Sequence, residues 1–164
     1  MLGRIGTAFA ALACLVLLSS MSLAGDPDPS MPPPDAPGAI NQDVTQANIA
    51  TTICVKGWTK TIRPPASFTD KLKIAQLKAL GYADQDPAHY EEDHRISLEV
   101  GGNPTDAKNL WPEPYAGQWG ARVKDQLEDE LHRLVCSGKM PLADAQAALM
   151  GNWEDAYTKF VVKH

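Results

Sequence analysis

Apolar and polar positions along the chain fall into two periods. Near residue 70 the period is helical: Ser67 or Thr69 can cap the run DKLKIAQLKAL, and Gly81 stops it. A longer helix is predicted over 118–135, where Trp119, Val123, Leu127, Leu131 and Leu134 or Val135 recur at helical spacing before Gly138. Pro141 suits the first turn of a helix reaching Met150, and a last short helix over 153–160 follows the Gly151-Asn152 break. A weak helical pattern spans 43–50, and a short strand is readable over 52–58.

Between the two long helices the period changes to two. In His94-Arg95-Ile96-Ser97-Leu98-Glu99-Val100 apolar residues alternate with polar ones, as in a half-buried strand. The cluster GGNPTD over 101–106 reads as a turn, and Asn109-Leu110-Trp111 as the returning strand. The expected fold class is α+β: a mainly helical domain built around a hairpin followed by a helix.

Both ends change the picture. Residues 1–24 read as a signal peptide: Arg4, an apolar stretch from Ala8 to Leu18 too short to span a bilayer, then Ser22-Leu23-Ala24 as a small-x-small cleavage site. Cys14 lies inside that stretch. Residues 25–41 hold six of the thirteen prolines and little to bury, so a disordered leader is expected before a domain over 42–164. The mature protein would be secreted or periplasmic, where Cys54 and Cys136 are expected to pair as a disulfide.

The chain carries a formal net charge of −5, which argues against strong nonspecific nucleic-acid binding. Its distribution is more permissive. Lys56, Lys60, Arg63, Lys71, Lys73 and Lys78 stand against Asp70 alone, while Asp84, Asp86, Glu91, Glu92 and Asp93 crowd just before His94. A basic face beside an acidic pocket suits phosphodiester chemistry. An imidazole next to a carboxylate suits a general base, with the carboxylate free to hold a metal. The four tryptophans read as packing residues, and His89 and His132 as surface histidines.

The stretch YEEDHRISLEVGGNPTDAKNLWPEP carries a more specific signal. Its D-H-x-I-x-L-x-x-G-G followed by N-L resembles the HNH, or His-Me finger, endonuclease superfamily. The wider pattern (CVKGWTKTIRPP, NLWPEP, KDQLE, VCSGKMPL) resembles small exported bacterial proteins of that type. The resemblance implies a ββα metal-finger core and a metal-dependent endonuclease. His94 would be the general base, Asn109 the residue that braces the loop and orients it, and Asp93 a ligand of Mg²⁺ or Mn²⁺. The family's third ligand has no match, since Gly117 and Gln118 occupy its place; Gln118 and Glu113 are the candidates left. Lys56, Lys60 and Arg63 are candidate nucleic-acid contacts. The expected partner is nucleic acid, DNA before RNA, bound by a monomer with no membrane attachment after signal cleavage. The rival expectation is an exported binding module that keeps the fold without catalysis.

Overall fold

The structure is a computed structural model in which residues 29–163 are described. The signal-peptide reading, Cys14, the first residues of the leader and His164 lie outside the described residues. Among the described residues there are five α-helices: α1 (Trp58–Ile62), α2 (Ala66–Ala79), α3 (Ala121–Cys136), α4 (Leu142–Met150) and α5 (Trp153–Tyr157). Strands β1 (Tyr90–His94) and β2 (Leu110–Pro114) pair antiparallel between α2 and α3, with Asp93 opposite Trp111 and His94 opposite Leu110. The molecule is thus α+β, with one small antiparallel sheet among the described residues.

The helices expected from periodicity form close to their expected limits, and the cause is burial of one face. Leu127, Leu131 and Val135 of α3 are fully buried against Leu142, Ala145 and Leu149 of α4 and Trp153 of α5. Trp111 and Trp153 are fully buried, and Trp58 and Trp119 pack on the same core, in keeping with a packing role. Gly138 turns the chain after α3 at φ 72°, a conformation that costs glycine little.

Four expected features differ in the fold. The alternating segment His94–Val100 is not a strand. β1 ends at His94 and the chain passes into a single 3-10 turn at Leu98–Val100, started by the Ser97 hydroxyl accepting from Glu99 N–H at 3.2 Å. Ile96, Leu98 and Val100 are buried all the same, in a loop rather than a pleat. The weak helix over 43–50 and the short strand over 52–58 are absent; turns, a 3-10 turn at Ile49–Thr51 and the start of α1 stand there. The Pro-rich leader is not loose over its described part. Ala36 is buried, the Trp153 indole N–H donates to Ser30 O at 2.9 Å, Arg95 donates to Ala36 O at 2.8 Å, and Asn41 N–H donates to Gly101 O at 2.8 Å. Backbone carbonyls and amides anchor this segment, which composition cannot reveal.

Cys54 and Cys136 are joined, with Cα atoms 5.6 Å apart, and tie the segment before α1 to the end of α3 across 82 residues of sequence. Closing so long a loop restricts the unfolded chain, so reduction should lower stability by about 4 kcal/mol. Denaturant titration with and without a reductant checks the value. Labelling of both thiols in unreduced native protein would remove the disulfide.

Candidate functional site

The hairpin puts its chemistry at the end of β1, and its long connection is held by one side chain. Asn109 is fully buried and uses every hydrogen-bonding group of its amide. Its Oδ1 accepts from Ile96 N–H (2.9 Å) and Ala39 N–H (3.3 Å), while Nδ2 donates to Ile96 O (3.0 Å) and Asn103 O (2.9 Å). The same loop requires Gly102: a Cβ there would lie 1.7 Å from Ile96 O. Gly101 adopts φ 78°, and a Cβ on it would meet the Val44 side chain at 2.9 Å. The two glycines therefore allow the backbone to fold onto itself around Asn109.

Asn103 is followed by Pro104, whose carbonyl lies 3.0 Å from His94 Nε2. A carbonyl can only accept, so Nε2 carries the proton and Nδ1 of the neutral ring holds the lone pair. Asn109 thus acts on His94 through the loop and keeps no group free for a substrate or a metal. His94 is 3% exposed. Burial pushes its pKa below the usual histidine range, with Asp93 and the Pro104 carbonyl opposing and Arg63 and Lys124 adding to the fall. A neutral imidazole is therefore available as a base at neutral pH.

His94 lines a cleft of about 260 Å³ with Arg63, Lys73, Glu91, Glu92 and Tyr115. Lys73, reaching in from α2, donates to Tyr90 O at 3.0 Å. Glu92 is 9% exposed and neither of its oxygens has a donor. Burial pushes its carboxyl up to about 8, against the pull of Lys73. Of the three basic residues expected to meet nucleic acid, Arg63 stands at this cleft. Lys56 lines a separate cavity with Cys54 and His132, and Lys60 is exposed on α1.

Asp93 and Glu113 are brought together as expected, but a third residue claims them. Lys124, from the first turns of α3 and with no exposed surface, donates to Asp93 Oδ2 at 2.5 Å, to His94 O at 2.9 Å and to the Glu128 carboxylate. Burial works against the charge of Asp93, but the Lys124 ammonium and a hydrogen bond from Glu113 outweigh it and hold the carboxyl at about 2. Glu113 is fully buried and neither of its oxygens meets an N–H or hydroxyl donor. Burial pushes it up to about 11, so it is a neutral acid whose proton bonds to Asp93. Glu128 is raised to about 7, mainly by burial. Burial alone would discharge Lys124; Asp93, Glu128 and Glu113 keep its pKa well above the usual lysine value.

The expected metal ligands therefore do not fit a divalent cation. Oδ2 of Asp93 is held by the Lys124 ammonium at 2.5 Å, Glu113 is fully buried and its carboxyl is raised to about 11, and Gln118 is exposed in the loop before α3. A second group of donors, Cys54, His132 and Cys136, lies within 4.8 Å and could hold a metal, but its sulfurs are bonded to each other. His132 instead donates from Nε2 to Ile53 O at 2.9 Å, and His89 pairs with Asp84 at the surface.

Lys73, Glu92, Lys124 and Glu128 were not singled out from the sequence as site residues. The last two carried a signal: spaced i, i+4, they share a helical face with the apolar Leu127 and Leu131, where a solvated pair is out of place.

Glu113 gives a pH-dependent prediction. Its folded pKa of about 11 lies above the ordinary 4.5, so folding holds a proton that the unfolded chain releases. Stability should therefore fall as pH rises above about 4.5, by up to ~1.4 kcal/mol per pH unit from this group. Glu113→Gln keeps a donor for Asp93 and removes that slope. Denaturant titrations should show the variant gaining on the wild type between about pH 5 and about pH 8. A gap that stays constant with pH would mean that Glu113 is ionised in the fold.

No protein-family model matches the chain, and the comparisons with curated proteins and with solved structures found no match.

Proposed function

We propose that this protein is an exported endonuclease that cleaves phosphodiester bonds of nucleic acid, with His94 as general base. One observation carries the reading: a buried, neutral imidazole, tied through Nε2 to Pro104 O, faces a cleft that also holds Arg63 and Lys73. The hairpin followed by α3, with α3 packed onto Asp93 through Lys124, supports a His-Me finger core.

In this reading Arg63 and Lys73 pair with the scissile phosphate and offset the charge that builds on its oxygens. Nδ1 of His94 takes the proton of the attacking water as its oxygen bonds to phosphorus. The bond from phosphorus to the leaving oxygen breaks, and Glu92, a neutral acid below about pH 8, returns a proton to that oxygen. Asn109 has a positioning part, through Asn103 and Pro104. The substrate is nucleic acid, DNA before RNA, and the active form a monomer. No helix among the described residues is long and apolar enough to cross a membrane.

Purified mature protein should nick supercoiled plasmid or cut single-stranded RNA, and His94→Ala should not. The rival reading, a binding module without catalysis, is favoured by the Lys124 ammonium held on Asp93 Oδ2. Wild-type protein that binds nucleic acid and cuts neither substrate would decide for it.

A further inference from the structure

An ammonium group has three hydrogens, and all three of those on Lys124 are spoken for. One bonds to Asp93 Oδ2 at 2.5 Å, one to His94 O at 2.9 Å and one to the Glu128 carboxylate. The side chain is completely enclosed. It therefore cannot reach a substrate, and a divalent ion seated at Asp93 would have to expel it. The helix after the hairpin thus brings in a cation at a place where a metal site would need another donor.

We infer that Lys124 is the resident cation of this site, standing where a divalent metal would bind, and that phosphodiester cleavage by His94 proceeds without a divalent metal ion. The inference rests on the nuclease reading above. The charge arrangement favours it. A divalent ion gains from several carboxylates with free oxygens, but here the ammonium of Lys124 already sits on both Asp93 and Glu128. Lys124 also fixes the strand end that carries the base, because it holds both the side chain of Asp93 and the carbonyl of His94. It is a positioning residue. The phosphate charge is met by Arg63 and Lys73, which line the cleft with His94.

Two measurements on the mature protein, freed of metal by chelation, test this. The first is Mn²⁺ uptake followed by electron paramagnetic resonance. Wild type should take up no stoichiometric ion. Lys124→Ala removes the ammonium while keeping Asp93, Glu113 and Glu128, and should take up Mn²⁺ in a manner lost when Asp93→Asn is added. The second is cleavage of plasmid and RNA with excess EDTA against added Mg²⁺ or Mn²⁺; the wild-type rate should be the same in both. Stoichiometric Mn²⁺ on wild type that disappears in Asp93→Asn, or cleavage that EDTA abolishes and Mn²⁺ restores, overturns the inference. If Lys124→Ala does not fold, the two wild-type arms decide. Wild type that neither cuts under any condition nor takes up Mn²⁺ defeats the nuclease reading and leaves Lys124 as the resident cation.

Discussion

Lys124→Met should cost about 3–5 kcal/mol of folding free energy, because it removes one partner of a buried charge pair and leaves the other uncompensated. The methionine fills similar volume, so the loss is electrostatic rather than a cavity effect. Without the ammonium, Asp93 and Glu128 must either stay charged in an apolar setting or take up protons. The sign with pH follows. Asp93 in the wild type sits at about 2, below its unfolded value, so its contribution is present above roughly pH 4 and fades as pH falls further. In the variant that contribution is gone, and the carboxyls are protonated at little cost in acid. The gap between variant and wild type should therefore be largest near neutrality and shrink below about pH 4. Chemical denaturation at both ends of that range measures it. A loss below about 1 kcal/mol at neutral pH, the size of a solvated pair, would contradict the buried cluster.

His94→Ala carries the second large effect. Losing a positioned general base should slow cleavage about 10²–10⁴-fold. The side chain is buried and donates to Pro104 O, so its removal also leaves that carbonyl without its partner, at a cost of about 1–3 kcal/mol. Rates must therefore be compared per folded molecule. His94→Gln, whose amide can still donate to Pro104 O from the position of Nε2, separates the two effects: it should recover stability and leave the rate low. A His94→Gln enzyme that cuts at the wild-type rate would show that the imidazole has no chemical part.

Much of this architecture can be read from residue spacing. The apolar stripe from Val123 to Val135 buries as a stripe must, and Leu142 to Leu149 packs against it. The paired glycines and Asn109 mark the loop that they in fact build. The alternation Ile96, Leu98, Val100 misleads for a physical reason: all three side chains are buried, as is Ser97 between them, but the backbone bonds go to Asn109 and to a 3-10 turn rather than to a neighbouring strand. Residues 30–41 are held by the carbonyls of Ser30 and Ala36 and the N–H of Asn41, main-chain groups that do not depend on side-chain type, so their proline-rich composition hides the docking.

The candidate site was legible in part. His94 and Asp93 stand out as a pair, but sequence shows only that they are neighbours in the chain. As adjacent strand residues they project to opposite faces of β1, so that His94 meets α2 and the cleft while Asp93 meets α3. What Asp93 meets there depends on which turn of α3 is packed on the hairpin, and that tertiary fact converts an expected metal ligand into the partner of Lys124.

The state of the His94 ring decides whether the cleft holds a base. Nitrogen-15 NMR of the imidazole in the folded protein reports which nitrogen carries the proton and at what pH the ring charges. The account requires a neutral ring at pH 7, protonated on Nε2 toward Pro104 and bare on Nδ1, that charges only below the ordinary 6.5. An imidazolium at neutral pH, or a ring with its proton on Nδ1, would leave no base in the cleft and would contradict the account.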